Sequence, residues 1–266
     1  MISPVKLYQV DAFTDTLFHG NPAGVCVLEK WLPKDVLQKI ATENYLPETA
    51  FFVPLEKAGH FDLKWFTPDI EMDLCGHATL ASAHVLFQHL NFIQPEITFH
   101  SNSGELVVKR NGSRIVLDFP SRMPMKAELP EVILEGLGRN PLEVWKSRDY
   151  IVVYENEDVI RNFTPNESIL NRINLDPGGI IITAKGNEVD FVSRFFTPQA
   201  TIFEDPVTGS AHCSLIPLWS NKTGKKELLA LQVSKRGGRL WCEDAGDRVL
   251  ISGEARTYLE GSICIA

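Results

Sequence analysis

The sequence lacks the features that mark secreted, membrane-spanning and nucleotide-binding proteins. Its five cysteines form no CxxC pair, which argues against a disulfide framework and against a structural zinc site. No apolar run approaches the roughly 18 residues that span a bilayer, and the first residues carry no signal-peptide pattern. No basic run is interleaved with aromatic residues, and the net charge of −8 disfavours nucleic acid as the main ligand. We therefore expect a soluble, cytoplasmic protein that binds neither nucleic acid nor membrane.

Cofactor motifs are also missing from the sequence. No glycine-rich phosphate loop and no GxGxxG follow a predicted strand, so a nucleotide cofactor is unsupported. No spacing of histidine, cysteine and carboxylate residues recommends a metal. We expect a protein that works without a metal or any other cofactor.

A duplicated motif is the most informative feature that is present. The stretch FTPDIEMDLCGHATLASAH at 66–84 recurs as FTPQATIFEDPVTGSAH at 196–212. Both copies open with Phe-Thr-Pro and close with Ser-Ala-His, and aligning Pro68 with Pro198 gives an offset of 130 residues (198 − 68). A duplicated motif implies duplicated architecture. The chain is therefore expected to form two related domains, 1–120 and 121–256, with a C-terminal strand near 257–266 able to join the first.

The elements predicted around the two motifs follow the same order in each half. Short strands rich in β-formers precede each motif, and a hairpin-like stretch follows it. Residues 78–87 are apolar on every side of a helical wheel, so this helix is expected inside a curled set of strands. Its sister helix begins at Gly209 and is expected to end or kink at Pro217. A further helix is predicted over 165–175. The fold class is α+β, with a β-barrel-like sheet wrapped around a central helix in each domain.

Two glycines begin the predicted buried helices. The backbone N–H groups at Gly76 and Gly209 lack helical partners and carry the positive end of the helix dipole. Two such termini could hold a carboxylate substrate. The alternative is that each glycine only permits a tight strand-to-helix turn.

Differences between the copies point to the chemistry. Glu48 lies at a helix-to-strand junction beside an apolar run, where burial would raise its pKa toward that of a working acid or base. The alternative is a solvated loop carboxylate or a cap. The 130-residue offset places Gly178 opposite Glu48, and Asp205 opposite Cys75. An epimerase with two thiols needs a cysteine on each side, so this mechanism is disfavoured.

The histidines of the motif divide into two groups. His77 follows Gly76, and the helix N-terminus there should keep its ring neutral and able to shuttle a proton, although a structural histidine is equally expected. His84 and His212 lie within the helices, where core packing with a satisfied ring is favoured over metal binding. Cys213 is interpreted as a packing residue.

Several motifs together resemble one known family, the PhzF (phenazine biosynthesis-like) proteins. They are Asp11-Ala12-Phe13-Thr14, Gly20-Asn21-Pro22-Ala23-Gly24-Val25, Glu48-Thr49-Ala50-Phe51, Cys75-Gly76-His77-Ala78-Thr79, Asp118-Phe119-Pro120 and Glu204-Asp205-Pro206-Val207-Thr208-Gly209-Ser210-Ala211. The resemblance covers nearly the whole chain in the expected order. It implies a diaminopimelate epimerase-like fold, with two related domains and a site in the cleft between them. A homodimer is implied by the resemblance alone.

The resemblance also implies an activity. The expected protein is a cofactor-independent isomerase in which a glutamate moves a proton between carbons of a small cyclic or amino-acid carboxylate. The site residues that it implies divide into two sets. The catalytic set is Glu48, His77, Asp205 and Ser210, and the substrate-binding set is Gly76, Gly209, Ser210, Asn21 and Cys75. Two alternatives stay open: an amino-acid epimerase or racemase that uses Cys75 with a non-thiol partner, and a non-catalytic carboxylate-binding protein.

Overall fold

The computed structural model describes residues 4–175 and 178–265. The chain forms two compact units, the first made of Met1–Phe119 with Ile251–Ala266 and the second of Pro120–Leu250. The sequence predicts domain boundaries at 120/121 and 256/257. In the structure the chain rejoins the first unit at Ile251, six residues before the predicted position (257 − 251). Residues 1–3 and 266, which the predicted bounds include, lie outside the described residues.

The described part of the chain contains six helices and eighteen strands. The helices are α1 Lys34–Asn44, α2 Gly76–His89, α3 Glu131–Leu137, α4 Glu157–Arg161, α5 Glu167–Leu170 and α6 Gly209–Thr223. The strands are β1 Val5–Ala12, β2 Asn21–Val27, β3 Glu48–Pro54, β4 His60–Phe66, β5 Glu71–Met72, β6 Glu96–Ser101, β7 Gly104–Asn111, β8 Arg114–Pro120, β9 Met125–Lys126, β10 Glu143–Lys146, β11 Tyr150–Val153, β12 Ile180–Lys185, β13 Phe191–Phe196, β14 Glu204–Asp205, β15 Glu227–Gln232, β16 Gly238–Asp244, β17 Arg248–Gly253 and β18 Ala255–Ile263.

The first unit surrounds α2 with strands. Strand β1 pairs antiparallel with β2 and β18, β2 runs parallel to β3, and β3 is antiparallel to β4. Strand β4 continues the sheet through parallel β6, which is antiparallel to β7. Helix α2 packs against β1, β2 and β3, and residues on all of its sides are buried. A helix that is apolar all round needs such a container, as the sequence predicts.

The second unit repeats this order. Strand β10 is antiparallel to β11, β11 is parallel to β12, and β12 is antiparallel to β13. Strand β13 then runs parallel to β15, which is antiparallel to β16. Along the chain α6 follows β14 and precedes β15, as α2 follows β5 and precedes β6. The duplicated architecture that the motif predicts is therefore present in the strand order of each unit.

Strand register changes the residue placed opposite Glu48. Thr49 pairs with Phe66 in the first unit, and Ile180 pairs with Phe196 in the second. Thr49 and Ile180 are therefore equivalent, with an offset of 131 residues (180 − 49), so the counterpart of Glu48 is Gly179. The sequence alignment, which placed Gly178 there, was wrong by one residue because it assumed a constant offset.

A loop difference changes the residue opposite Cys75. The Phe-Thr-Pro segments are followed by Glu71 in β5 and by Glu204 in β14, so the second loop is three residues longer. The helices consequently start at Gly76 and Gly209, with an offset of 133 residues (209 − 76). The counterpart of Cys75 is the helix N-cap Thr208, and Asp205 instead matches Met72. The pairing of Cys75 with Asp205 was wrong, but the second copy still carries no thiol at this place.

Two predicted helices differ from the observed ones. Helix α6 does not end at Pro217 but continues to Thr223. Proline has no N–H to bond the carbonyl four residues earlier, and that carbonyl, on Cys213, accepts instead from the backbone N–H of Arg122 at 2.8 Å. The helix predicted over 165–175 is reduced to the single turn of α5. Within the described residues no helix is long and apolar enough to cross a membrane.

Candidate active site

The centre of the candidate site is a contact between Glu48 and His77 in the first unit. Glu48 is the first residue of β3, and His77 is the second residue of α2. The Nε2 atom of His77 lies 3.2 Å from the Oε2 atom of Glu48, and the side chains are only 3% and 14% exposed. A mostly buried carboxylate against an imidazole nitrogen can take up, hold and return a proton.

Two further predicted residues contact the other nitrogen of the same ring. Asn21, the first residue of β2, is fully buried and places its Nδ2 atom 3.0 Å from Nδ1 of His77. Cys75, the N-cap of α2, places its Sγ atom 3.5 Å from the same nitrogen. The first unit therefore brings together Asn21, Glu48, Cys75 and His77, with Gly76 between the last two in the chain.

The His77 ring is neutral at neutral pH. Burial lowers the pKa of His77 to about 3, because water no longer solvates the imidazolium form. The sequence predicted a neutral ring, and this is confirmed. The principal cause, however, is burial, whereas the prediction relied on the dipole of α2.

Glu48, Cys75 and His77 also form the one group among the described residues whose ligand atoms are close enough to suggest a metal ion, lying within 4.8 Å of one another. Their arrangement does not favour this use. The carboxylate approaches Nε2 of His77, whereas the thiol approaches Nδ1. A metal-binding histidine turns one ring nitrogen toward the ion. A single ion would therefore need the carboxylate and the thiol near the same nitrogen, whereas here they contact different nitrogens.

The second unit places Ser210 beside an arginine that sequence reasoning missed. Ser210 is the second residue of α6, and its Oγ atom accepts a hydrogen bond from Nη2 of Arg148 at 2.9 Å. Arg148 also donates from Nε and Nη2 to the two carboxylate oxygens of Asp149, at 3.2 and 3.3 Å. Asp149 is 1% exposed and accepts the Gly179 N–H at 2.9 Å. Burial raises the pKa of Asp149, although the Arg148 guanidinium opposes this rise.

Asp205 belongs to a polar cluster before α6. Thr208 donates from Oγ1 to Oδ2 of Asp205 at 2.5 Å. Gln232, buried in β15, accepts the Thr208 N–H at 2.8 Å and donates from Nε2 to the Asp205 carbonyl at 2.7 Å. Asp205, Gly209 and Ser210 therefore lie together at the start of α6, and Gln232 helps to hold them there.

A signal for the missed residues is present in the sequence. Gly24 of β2 pairs with Thr49, and Tyr150 of β11 pairs with Ile180, the equivalent of Thr49. Gly24 and Tyr150 are therefore equivalent. Arg148-Asp149 therefore occupy the place of Pro22-Ala23 in the Gly20–Val25 motif. Aligning the halves by strand pattern would have drawn attention to them. No comparable signal marks Gln232, because only the tertiary structure brings β15 against the turn before α6.

The remaining helix histidines and Cys213 are packing residues, but the prediction of a satisfied ring fails for buried His212, whose Nε2 atom has no hydrogen-bond partner among the described residues. The Nε2 atom of His84 contacts the Thr257 hydroxyl at 2.9 Å, and the Nδ1 atom of His212 donates to the Thr208 carbonyl at 2.8 Å. Burial lowers the pKa of both rings to about 4. Cys213 is fully buried, and burial raises the pKa of its thiol to about 11.

Comparison with known proteins decides the family. The family model described as phenazine biosynthesis-like protein (PhzC-PhzF) matches residues 10–261. This chain belongs to the PhzC-PhzF family. An isomerase of Pseudomonas aeruginosa, itself uncharacterized, is 47% identical over 97% of this chain and 98% of its own length. A crystal structure of a PhzF family protein from Enterococcus faecalis is 44% identical, with a TM-score of 0.92 over 99% of this chain and 100% of that one.

The PhzC-PhzF membership confirms the predicted fold and enzyme class. A probable proline racemase from Agrobacterium radiobacter, only 9% identical, shares the fold with a TM-score of 0.65 over 98% of this chain and 93% of its own. The fold is the predicted α+β, diaminopimelate epimerase-like one. Like its PhzC-PhzF relatives, the protein is an isomerase.

Proposed function

We propose that this PhzC-PhzF isomerase moves a proton between two positions of a small carboxylate-bearing metabolite, with Glu48 as the general acid and base. The observation that carries the proposal is the mostly buried Glu48 carboxylate held 3.2 Å from the neutral ring of His77 at the start of α2. A base that removes a proton from one carbon and returns it to another leaves the composition of the substrate unchanged. Such a reaction requires only a base and a fixed substrate.

The start of α2 supports the carboxylate part of the proposal. The first N–H groups of a helix have no partner within the helix and favour an anion. In α2 these include the N–H groups at Gly76 and His77, and the side chain of His77 contacts Glu48. A substrate carboxylate bound there would lie next to the base. Asp205, Gly209 and Ser210 enter the proposal from the family resemblance, as residues that bind the substrate or assist proton transfer.

Substitution of Glu48 by Gln tests the proposal. The variant keeps the size of the side chain but cannot accept a proton, so we expect exchange to fall at least 10²–10⁴-fold, the usual contribution of a general base. The measurement is deuterium uptake from heavy water into a panel of cyclic and amino-acid carboxylates, followed by mass spectrometry. Glu56→Gln, at an exposed residue of the same unit, is the control. Full exchange by Glu48→Gln would refute the proposal.

A second candidate is an amino-acid epimerase that uses Cys75. The observation that favours it is the Cys75 thiol 3.5 Å from Nδ1 of His77 at a helix N-cap, a setting in which a thiol can be activated. This candidate predicts that Cys75→Ala abolishes exchange at the α-carbon of an amino acid. The leading proposal predicts that Cys75→Ala retains exchange. Ligands bound without any deuterium uptake would instead favour a carboxylate-binding protein.

A further inference from the structure

The groups around His77 differ in hydrogen-bonding character. At Nδ1 lie the amide NH2 of Asn21, at 3.0 Å, and the thiol of Cys75, at 3.5 Å. An amide NH2 can only donate, and a thiol can donate its proton. At Nε2 lies the Glu48 carboxylate, at 3.2 Å, which when ionised can only accept. The ring is therefore placed with donors on one side and an acceptor on the other.

We propose that Asn21 is a positioning residue that holds neutral His77 in the tautomer with its proton on Nε2, the nitrogen on the Glu48 side of the ring. The functional part of this inference rests on the proposed role of Glu48 as the base. Nε2 of His77 and Oε2 of Glu48 lie 3.2 Å apart without hydrogen-bond alignment. In this tautomer the positive end of the N–H dipole is therefore near the ionised carboxylate, which favours the form of Glu48 that accepts a proton from substrate. The sequence assigned Asn21 to substrate binding, whereas its amide nitrogen contacts the imidazole.

The other two states of the ring are disfavoured by the same contacts. A proton on Nδ1 would point at the Asn21 NH2 and would leave the Nε2 lone pair facing the Glu48 carboxylate. An imidazolium would point Nδ1–H at the same NH2 and would also bury a charge. The titratable groups in contact with the ring are Glu48 on β3 and Cys75 at the start of α2. Neither provides an acceptor at Nδ1 while the thiol is protonated.

The backbone around Asn21 fixes the direction of its side chain. Asn21 pairs with Ala12 across the β1–β2 ladder and is fully buried. Gly20 before it has a φ of +65°, and a Cβ there would meet the Ala12 carbonyl oxygen, so the turn into β2 requires glycine. Because strand pairing and a turn of fixed geometry hold Asn21, its amide can act as a preset contact for the ring.

The tautomer is measured directly by NMR of the full chain with 15N-labelled histidine. We expect His77, assigned by loss of its signals in His77→Gln, to show a protonated Nε2 and an unprotonated Nδ1. His212 is an internal reference of the opposite kind, because its Nδ1 faces the Thr208 carbonyl and must carry the proton. A wild-type spectrum with the His77 proton on Nδ1 would overturn the inference, and beyond the assignment this result needs no variant and no turnover.

Two substitutions of Asn21 test whether this residue sets the tautomer. Asn21→Asp replaces the donor with an acceptor, and we expect the proton to move from Nε2 to Nδ1. Asn21→Leu keeps the volume without a donor, and we expect a mixture of the two tautomers. A His77 spectrum unchanged in both folded variants would contradict the positioning role. With any carboxylate that exchanges deuterium, Asn21→Leu should lower kcat more than it raises KM, whereas a substrate-binding role would raise KM.

These measurements separate this inference from the proposed function. The ring-nitrogen spectrum depends on the contacts of His77 and not on turnover. An expected tautomer together with an active Glu48→Gln variant would retain the role of Asn21 and refute Glu48 as the base. A His77 proton on Nδ1 together with an inactive Glu48→Gln variant would retain Glu48 as the base and refute the positioning role of Asn21.

Discussion

The starts of α2 and α6 are equivalent places in the two units, and they carry different chemistry. The second residue of α2 is His77, which contacts the carboxylate of Glu48. The second residue of α6 is Ser210, which contacts the guanidinium of Arg148. The first unit therefore has a carboxylate against an imidazole, whereas the second has a hydroxyl held by a cation. The two helix termini are similar, and of these two second residues His77 contacts a carboxylate and Ser210 does not.

Packing explains why the second unit has no carboxylate at the equivalent strand position. Gly179 stands where Glu48 stands in the first unit, and its N–H is bound by buried Asp149. A Cβ at Gly179 would lie 2.5 Å from Cζ of Phe195 and 2.7 Å from the Phe196 carbonyl oxygen. No side chain fits there without moving backbone, so the asymmetry is built into the core of the second unit.

The largest effect on this comparison is expected at Arg148. Replacing Arg148 by Met leaves Asp149, which is 1% exposed, without its ion-pair partner. We expect the free energy of unfolding to fall by about 3 kcal/mol, because an uncompensated buried charge is costly. Urea denaturation measures the change. Arg139→Met is the matched control, since its pair with Glu155 is exposed and should contribute only about 0–1 kcal/mol.

A double variant sharpens the result for Arg148. Arg148→Met combined with Asp149→Asn removes both charges and keeps an acceptor for the Gly179 N–H, so most of the lost stability should return. Ser210 would still lack its donor. A loss of stability in the double variant equal to that in Arg148→Met would contradict the assignment of the effect to the unpaired carboxylate.

An intermediate effect is expected at Gly179. Gly179→Ala adds a Cβ against the Phe196 carbonyl, and we expect a loss of about 1–3 kcal/mol in the free energy of unfolding, as for other overpacked sites. Gly261→Ala is the control, because its nearest neighbour, Cδ2 of Leu259, would be 3.8 Å away. A Gly179→Ala protein as stable as the control would show that the second unit could have carried a side chain there.

The effect that is smallest at neutral pH concerns the buried histidines of the two helices. Burial lowers the pKa of His77 to about 3 and that of His212 to about 4, from 6.5. Between these values the unfolded chain binds a proton that the folded chain does not, so stability falls as the pH falls below about 6.5. Replacing either histidine by Gln should reduce the slope of the free energy of unfolding against pH by about 1.4 kcal/mol per pH unit in this range.

Unfolding by urea between about pH 7 and pH 4 measures this slope. Equal reductions from His77→Gln and His212→Gln would show that burial alone sets the pKa of each ring. A smaller reduction from His77→Gln would indicate that the neighbouring Glu48 carboxylate supports the imidazolium form. Slopes identical to that of the wild type would contradict the lowered pKa values of both rings.

Much of the site could be found from the sequence because the residues of each group lie in short motifs. Glu48 begins a buried strand, Cys75-Gly76-His77 begin a helix, and the repeat marks Gly209-Ser210 as their relatives. Arg148 was missed because the alignment of the halves used one offset of 130, whereas the register gives an offset of 126 at β11 (150 − 24), 131 at β12 and 133 at α6. Insertions between motifs are not visible to an alignment that rests on one motif.

The sequence by itself determined the duplication, the all-round apolar helices and the carboxylate, glycine and histidine on which the proposed chemistry depends. These properties are local, since periodicity and motif spacing are carried by neighbours in the chain. Only the tertiary structure decided that Asn21 faces His77, that Arg148 holds Ser210, and that Gly179 cannot carry a side chain. The first two contacts join residues 56 and 62 positions apart, and the third depends on core packing, so strand register and packing set them.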